Sequence, residues 1–403
     1  LTLPRVLFVD DEPAVLDGLR DSLRRDRKRW DMVFARGAEQ GLDEVRQARF
    51  QVVLSDMRMP GIDGAEFLSR VKAICPEAVR IVLSGQADTE ATIRAVLVAQ
   101  QFLSKPCELQ VLRAAIGRAC ELQRLLCDET MRSVVGLMES LPSVPDAYLR
   151  LTRAAADPSK GAAELAREVE CDPAMSVKVL QLVNSAFFGV ARRVTSIHQA
   201  VAYLGVETLK RLALSAQVFS AIERQPVPGF SLEAVQASSL LGANMAKRFL
   251  LGSPRAEEAA TAALIRDVGK IILAMAFRER YVDAERDVVA TGRTAFALER
   301  ERLGVSHPEV GAYLLGVWGL PLSILEAVCY HHQPSSAPEG PAEVLAAVHA
   351  ADAFVGCDYA DDSSKLPVDL AFLARAGVSI ELGRWLRIAT EEKERFASST
   401  ASA

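Results

Sequence analysis

Half of the 403 side chains are apolar, enough for two or three separately cored domains, and a formal charge of −5 gives no electrostatic reason to bind nucleic acid or an acidic membrane surface. No apolar run approaches a membrane span and no basic stretch leads into an apolar one, so neither a spanning helix nor a secretory leader is expected. The seven cysteines are odd in number and never spaced as CxxC, which argues against a disulfide frame or zinc site and predicts reduced thiols in a cytoplasm.

The chain opens with an apolar run, Val6 to Val9, that ends on Asp10-Asp11-Glu12. Pro13, a good first-turn residue, starts a helix expected to reach about Arg25. The basic run Arg24 to Arg29 has no interleaved aromatics and no reading helix, so it is read as a solvated turn and not as a nucleic-acid contact. After a helical stretch from Glu39 to Ala48, Val52-Val53-Leu54 reads as a buried strand that delivers Ser55 and Asp56 to its end and breaks at Pro60-Gly61. A helix from Gly64 to Ala73 follows. Ile81-Val82-Leu83 then runs into Ser84-Gly85, and Phe102-Leu103-Ser104 into Lys105-Pro106. The alternation of strand and helix predicts a doubly wound parallel sheet, with Asp10, Asp11, Asp56, Ser84 and Lys105 along its carboxyl edge, where such sheets bind ligands.

Clustered carboxylates repel one another unless a cation sits among them, and three oxygens with room for waters suit Mg²⁺. With the charge neutralised, one carboxylate is free to attack phosphorus while a hydroxyl and an ammonium hold the phosphoryl oxygens. Taken singly, each of these residues is an ordinary surface group or cap; it is their recurrence at successive strand ends that makes a site.

Residues 4 to 122 resemble the receiver domain of two-component response regulators. The resemblance rests on Val9-Asp10-Asp11-Glu12, on Asp56-Met57-Arg58-Met59-Pro60-Gly61-Ile62-Asp63-Gly64, on Leu83-Ser84-Gly85 and on Phe102-Leu103-Ser104-Lys105-Pro106. It implies a five-stranded flavodoxin-like sheet with Asp56 as phosphoacceptor. It implies Mg²⁺ held by Asp11, Asp56 and the Arg58 carbonyl, with Asp10 helping through water. Ser84 and Lys105 would bind the phosphoryl group, and Ser84 and Phe102 would form the switch.

From Cys107 to Gly136 the sequence is helical without a breaker, and a leucine-rich stripe there offers either a homodimer seam or a contact with the next domain. Beyond Ser133 only helices are expected. Asp172-Pro173 opens one with Met175, Val179, Leu182 and Val183 on one face and Lys178 and Gln181 opposite; His198 is expected at the surface. Residues 133 to 334 resemble the HDOD family, the HD-related output domain of bacterial signalling proteins. The motifs that carry this are Leu141-Pro142-x-Val144-Pro145, Glu164-Leu165-Ala166, Cys171-Asp172-Pro173-Ala174, Asn184-Ser185-Ala186-Phe187-Phe188-Gly189, Leu204-Gly205, Asp267-Val268-Gly269-Lys270, His307-Pro308-Glu309-Val310-Gly311 and Tyr330-His331-His332-Gln333-Pro334. The family's fold is all-helical and resembles HD-type metal phosphohydrolases, whose ligands are a first His, a His-Asp pair, further His residues and a late Asp. Here Ser238 stands for the first His and Arg266-Asp267 for the pair, with His307, His331, His332 and Asp352 as the remaining counterparts. Adjacent in sequence, His331 and His332 are expected to point apart, with at most one facing the old pocket.

The expected organisation is a receiver at 1–122, a connecting helix at 123–134, an HDOD domain at 135–335 and a helical extension at 336–403. The tail is expected to carry a helix from Ala342 to Val355, an acidic loop at 358–362 and a second helix from Leu370 to Phe396, with disordered final residues. The leading functional reading is a phosphorelay response regulator. A sensor histidine kinase, a phosphotransfer protein or a small phosphodonor would phosphorylate Asp56, and a catalytically inactive HDOD domain would bind an unidentified downstream protein. The alternative makes the output an active metal-dependent phosphodiesterase or phosphohydrolase. DNA binding is not expected, for want of a helix-turn-helix signature, and neither is a membrane.

Overall fold

The computed structural model describes residues 3–85, 98–125, 129–137, 145–157, 159–184, 194–206, 208–209, 227–356, 368–378 and 381–400. Two compact units emerge: residues 1–140 with 181–193 and 313–319, and residues 141–180 with 194–312 and 320–403.

The first unit is built on five parallel strands, β1 (Arg5–Asp10), β2 (Asp31–Arg36), β3 (Val52–Asp56), β4 (Val79–Gly85) and β5 (Gln101–Lys105), in the order β2-β1-β3-β4-β5. Val6 to Val9 and Val52 to Leu54 are buried on both faces, as strands covered on both sides by helices must be. The strand order reverses between β1 and β3, and that switch point is where the carboxyl ends of two strands open a crevice. Asp10 ends β1 and Asp56 ends β3, so register alone delivers both carboxylates to the same crevice. Asp56 pairs with Leu83 and Ser84 with Ser104, which sets Ser84 one residue beyond Asp56 on the neighbouring strand.

The covering helices are α1 (Pro13–Ser22), α2 (Gly37–Gln47), α3 (Gly64–Ile74), α4 (Leu109–Leu125) and α5 (Glu129–Leu137). The first ends at Ser22 and not near Arg25, because Arg24–Lys28 tightens into a 3₁₀ turn. That turn buries Asp26, whose carboxylate accepts a 2.7 Å hydrogen bond from Arg113 Nε. The basic run is thus anchored by its one acid. The helix expected to run unbroken from Cys107 to Gly136 is described as two, with residues 126–128 outside the described residues. The second does not leave the sheet. Arg80 on β4, fully buried, donates from Nη2 to Gly136 O at 2.6 Å, and Arg132 Nη1 donates to Gln123 O at 2.9 Å. A Cβ at Gly136 would lie 1.7 Å from Pro76 O, so only glycine permits this approach.

The second unit is helical throughout its described residues. Its helices are α6 (Pro145–Ala156), α7 (Ala162–Glu170), α8 (Pro173–Asn184, to Leu180 in this unit), α9 (Ile197–Leu204), α10 (Leu232–Phe249), α11 (Ala256–Ile265), α12 (Val268–Phe277), α13 (Glu279–Thr291), α14 (Ala295–Leu303), α15 (His307–Val317, to Ala312 here), α16 (Leu322–Tyr330), α17 (Glu343–Val355), α18 (Leu370–Arg375) and α19 (Leu382–Thr400). The motif residues 141–144 and 185–189, the acidic loop at 358–362 and the last three residues lie outside the described residues. The polar side of α8 is not a solvent face, since Lys178 and Gln181 are as buried as Met175 and Val179. The expected tail helix from Leu370 to Phe396 is two helices, and α19 packs into this unit: Trp385 stacks on Phe249 at 4.8 Å, and Arg248 binds Glu391 and Glu392. The centre is the packing of α10 on α11 and α17, which brings Ser238, Arg266 and Asp352 together. No described helix is long and apolar enough to cross a membrane.

Candidate functional site

At the carboxyl edge of the sheet one ligand oxygen each from Asp10, Asp11 and Asp56 lies within 4.8 Å of the others. Lys105, ending β5, reaches between two of them, with Nζ 2.5 Å from Asp56 Oδ1 and 2.9 Å from Asp10 Oδ2. Burial pulls the Lys105 ammonium down, but hydrogen bonds and charge from Asp56 and Asp10 outweigh it, and its pKa stands above the ordinary lysine value. Backbone amides complete the cradle: Glu12 N donates to Asp10 Oδ1 at 2.9 Å, and Arg58 N to Asp56 Oδ2 at 3.1 Å. The loop after β3 can close because residue 64 is glycine, where a Cβ would lie 2.2 Å from Asp56 O. Gly64 N donates instead to Met57 O at 2.9 Å. Phe102 is buried, opposite Val82. The side chain of Ser84 lies outside the described residues.

The structure therefore brings together Asp10, Asp11, Asp56 and Lys105 as the strand ends require. The donor set fits Mg²⁺, being three carboxylate oxygens open to a rim where Lys105 is one-third exposed.

The second constellation sits in the helical unit. Arg266, wholly buried between α11 and α12, spends its guanidinium on three neighbours: Nε on Asp352 Oδ1 at 2.8 Å, Nη1 on Ala263 O at 2.8 Å and Nη2 on Ser238 Oγ at 2.9 Å. Nη2 also lies 3.3 Å from Asp267 Oδ2, and Lys270 Nζ lies 2.9 Å from Asp267 Oδ1. Burial would raise the Asp267 carboxyl, but Lys270 and then Arg266 hold it well below the usual carboxylate range. For Asp352, burial is likewise outweighed by His332 and Arg266, and its pKa is lowered. The residues aligned with an HD-type site do meet in space, around a cation that belongs to the protein.

The histidines contradict the expectation that His331 and His332 point apart. Their ring centroids are 4.0 Å apart, and those of His307 lie 5.5 and 5.0 Å from them. The helical argument fails because α16 ends at Tyr330; His331 is its cap and His332 lies in the turn beyond. Burial pushes His331 well below the ordinary imidazole value and His332 down to about 4. Two further residues complete the site. Glu299 on α14 holds His307 by accepting from both its backbone N and its Nδ1, each at 2.7 Å. Lys270 is the second cation. Its spacing of three from Asp267 at the start of a helix was a legible signal, since such residues share a face. Nothing in the sequence paired Glu299 with His307, because α14 and α15 meet through a turn whose direction composition does not set.

Two family models match the chain: the response regulator receiver domain over residues 6–117 and the HDOD domain over residues 141–334. Among curated proteins, an uncharacterized protein of Treponema pallidum is 25% identical over 239 residues, which cover 57% of this chain and 44% of that protein. The hydrogenase transcriptional regulatory protein HoxA of Cupriavidus necator is 36% identical over 125 residues, 30% of this chain and 25% of that one. The chain thus spans less than half the length of either relative. Among solved structures, the MmoQ response regulator of Methylococcus capsulatus is 28% identical, with 61% of this chain and 98% of that one covered at a TM-score of 0.48. A Campylobacter jejuni virulence factor shares the fold at 20% identity, covering 66% of this chain and all of its own, with a TM-score of 0.52. The receiver model falls on the parallel sheet and the HDOD model on the helices around Arg266, and the chain is accordingly a response regulator with an N-terminal receiver domain and a C-terminal HDOD domain.

Proposed function

We propose that this chain is a cytoplasmic phosphorelay regulator in which Asp56 accepts a phosphoryl group and the phosphorylation state controls protein-partner binding by a catalytically inactive HDOD domain. The observation that carries the reading is Lys105 Nζ set between Asp56 and Asp10. An ammonium there can pass from the carboxylates to an incoming phosphoryl oxygen without leaving the site. Asp10, Asp11 and Asp56, with the Arg58 carbonyl, would hold Mg²⁺, which when bound neutralises the acidic cluster and draws charge off the phosphoryl group. In the transfer, an Asp56 carboxylate oxygen forms the new bond to phosphorus as the donor's bond to phosphorus breaks, with the electron pair leaving on the donor. The donor is a sensor histidine kinase, a phosphotransfer protein or a small acyl phosphate. Ser84 and Phe102 serve as the switch that reports the added charge, through β4 and β5, to the rest of the chain.

The inactivity of the output rests on Arg266. Its guanidinium is always charged and is fixed by Ser238, Ala263 and Asp352, so it takes the place a catalytic cation would need between Asp267 and Asp352. The three gathered imidazoles favour the rival reading, an active HD-type phosphohydrolase. Two outcomes separate them. Acetyl phosphate with Mg²⁺ should add one phosphoryl group by intact mass, and Asp56→Asn should abolish it; persistent labelling in that variant sinks the assignment. Turnover of cyclic dinucleotides that is lost in Asp267→Ala would establish the enzyme instead.

A further inference from the structure

Strand β2 lies at the edge of the sheet and, among the described residues, pairs with β1 alone. Successive residues of a parallel strand turn their backbone N–H and C=O groups to opposite sides. Asp31 N donates to Pro4 O at 2.8 Å, on the β1 side, so Met32 and Phe34 turn their groups to the open edge. Arg36 follows the same alternation, and there the Gln40 side chain has closed the edge, its Oε1 accepting from Arg36 N at 2.7 Å. Two residues of ladder thus stand with no strand beside them. A groove of about 530 Å³ runs along this edge, with Leu3, Trp30, Met32 and Phe34 in its walls together with Arg20 and Arg27.

The charge beside the edge has one sign. The 3₁₀ turn Arg24–Lys28, which leads toward β2, exposes Arg24, Arg25, Arg27 and Lys28, and none of the four meets an acidic group among the described residues. The two acids that could offset them are occupied. Asp26 is turned inward onto Arg113 Nε at 2.7 Å, and Asp31 accepts from Arg5 Nε at 3.0 Å. Arg20 pairs with Asp17 at 2.6 Å and also lies over the Phe34 ring, 4.9 Å from its centroid, which keeps a further cation at the groove. In a chain of net charge −5 this is a local reversal of sign.

We propose that the open edge of β2 is a docking site for an extended acidic segment of a partner protein, which adds to the sheet as a further strand. The backbone of the segment pairs with Met32 and Phe34, its alternate apolar side chains enter the groove, and its carboxylates meet Arg27 and Lys28. Charge complementarity selects this occupant. A second copy of the chain, paired edge to edge, would bring two cationic runs together. A nucleic acid would use the cations but leave the backbone groups and the apolar walls without partners. The surface is separate from the phosphoacceptor, since β1 stands between β2 and the strand that ends on Asp56.

The test uses the full chain and a fluorescent peptide of alternating Glu and Val, about six residues long, the usual length of a strand. Anisotropy should show micromolar binding that weakens at least tenfold as salt rises from about 0.05 to about 0.5 M. Hydrogen exchange at the Met32 and Phe34 amides should slow when the peptide is bound. Arg27→Glu with Lys28→Glu should weaken binding at least tenfold, and an unchanged urea midpoint shows that this variant folds, as two exposed side chains allow. A peptide with proline in place of its central valine should lose binding to a like degree, because the edge needs its N–H. If the proline peptide, or single-stranded DNA of equal charge, binds as tightly, the run is a general polyanion surface and the proposal fails. It fails equally if the peptide does not bind, or binds without protecting the two amides; the cations then only guard the edge against self-pairing. Acetyl phosphate labelling of Asp56 reads the phosphorelay separately and does not depend on either result.

Discussion

Among the described residues, the acidic cluster at the sheet edge and that of the helical unit both hold cationic side chains, and they differ in how the central cation is held. At the sheet edge Lys105 is a point charge on a flexible stem, one-third exposed, touching Asp10 and Asp56. In the helical unit Arg266 has no exposure, and its planar fork is spent on Ser238, Ala263 and Asp352. A Cβ at Gly242 would lie 2.6 Å from its Nη1, so even the neighbouring helix is shaped to it. The first cluster can exchange its cation or add another, and so remains open to chemistry. The second has been closed from within. Carboxylates alone do not make a reactive site; what decides is whether their counter-charge can move.

The largest effect follows from removing the fixed cation. Arg266→Met keeps much of the side-chain volume but takes the guanidinium from Ser238, Ala263, Asp267 and Asp352, leaving Asp267 with Lys270 and His307 and Asp352 with His332. Breaking a buried pair by deleting one partner costs about 3–5 kcal/mol, and the urea midpoint should fall accordingly. If Arg266→Met unfolds at the midpoint of the unaltered protein, the cluster is not the closed structure described here. Adding millimolar Mg²⁺ should not restore the loss, because the methionine side chain fills the space between the oxygens of Ser238, Asp267 and Asp352 that a hydrated ion would need.

A smaller effect separates the clusters by pH. The folded values of His331 and His332 lie below the unfolded imidazole value, so the unfolded chain binds more protons as pH falls below about 6.5. Their contribution is present above that pH and is lost as pH drops toward the folded value, about 4 for His332. Asp267 and Asp352 are also depressed and begin to lose their share only below the unfolded carboxylate value near 3.9. In the presence of chelator, the unfolding midpoint of the helical unit should therefore decline between pH 6.5 and 4, and His332→Gln should flatten part of that slope. An unchanged slope in the variant would remove His332 from the account.

The sheet-edge cluster was almost wholly legible in the sequence because parallel strands are short, apolar and end in register. A residue's place at the end of an apolar run is then its place in the crevice, and Asp10, Asp56 and Lys105 needed no more than that. The helical cluster was legible as a set of residues but not as an arrangement. Ser238, Arg266 and Asp352 lie on three helices, and which faces meet depends on crossing angles that the pattern of apolar residues leaves open. The error over His331 and His332 had the same source. A helix end displaced by one residue turns a divergent pair into a convergent one, and boundaries are what sequence patterns fix least well. The polar face of α8 misled for a related reason, since an amphipathic pattern marks the side facing its nearest core and does not show whether other segments cover the opposite side.

The smallest expected effect bears on the movable cation. Lys105→Met removes one ammonium from Asp10 and Asp56, yet each carboxylate keeps a backbone donor, from Glu12 N and Arg58 N respectively. The rim is open, so water can take up part of what the ammonium leaves. With Mg²⁺ present, the divalent ion supplies the missing charge, and any ion that binds the folded chain alone stabilises it by mass action. The loss should then be about 1 kcal/mol or less, the scale of a solvent-exposed pair. In chelator it should be larger, and Mg²⁺ should recover it, in contrast to Arg266→Met. Acetyl phosphate labelling of Asp56 should persist in Lys105→Met, slowed by the loss of one phosphoryl contact, because the nucleophile and its Mg²⁺ ligands are intact. Urea melts of both variants with and without Mg²⁺ make the comparison direct. If Mg²⁺ rescued both alike or neither, the distinction between an exchangeable and a built-in cation would not hold.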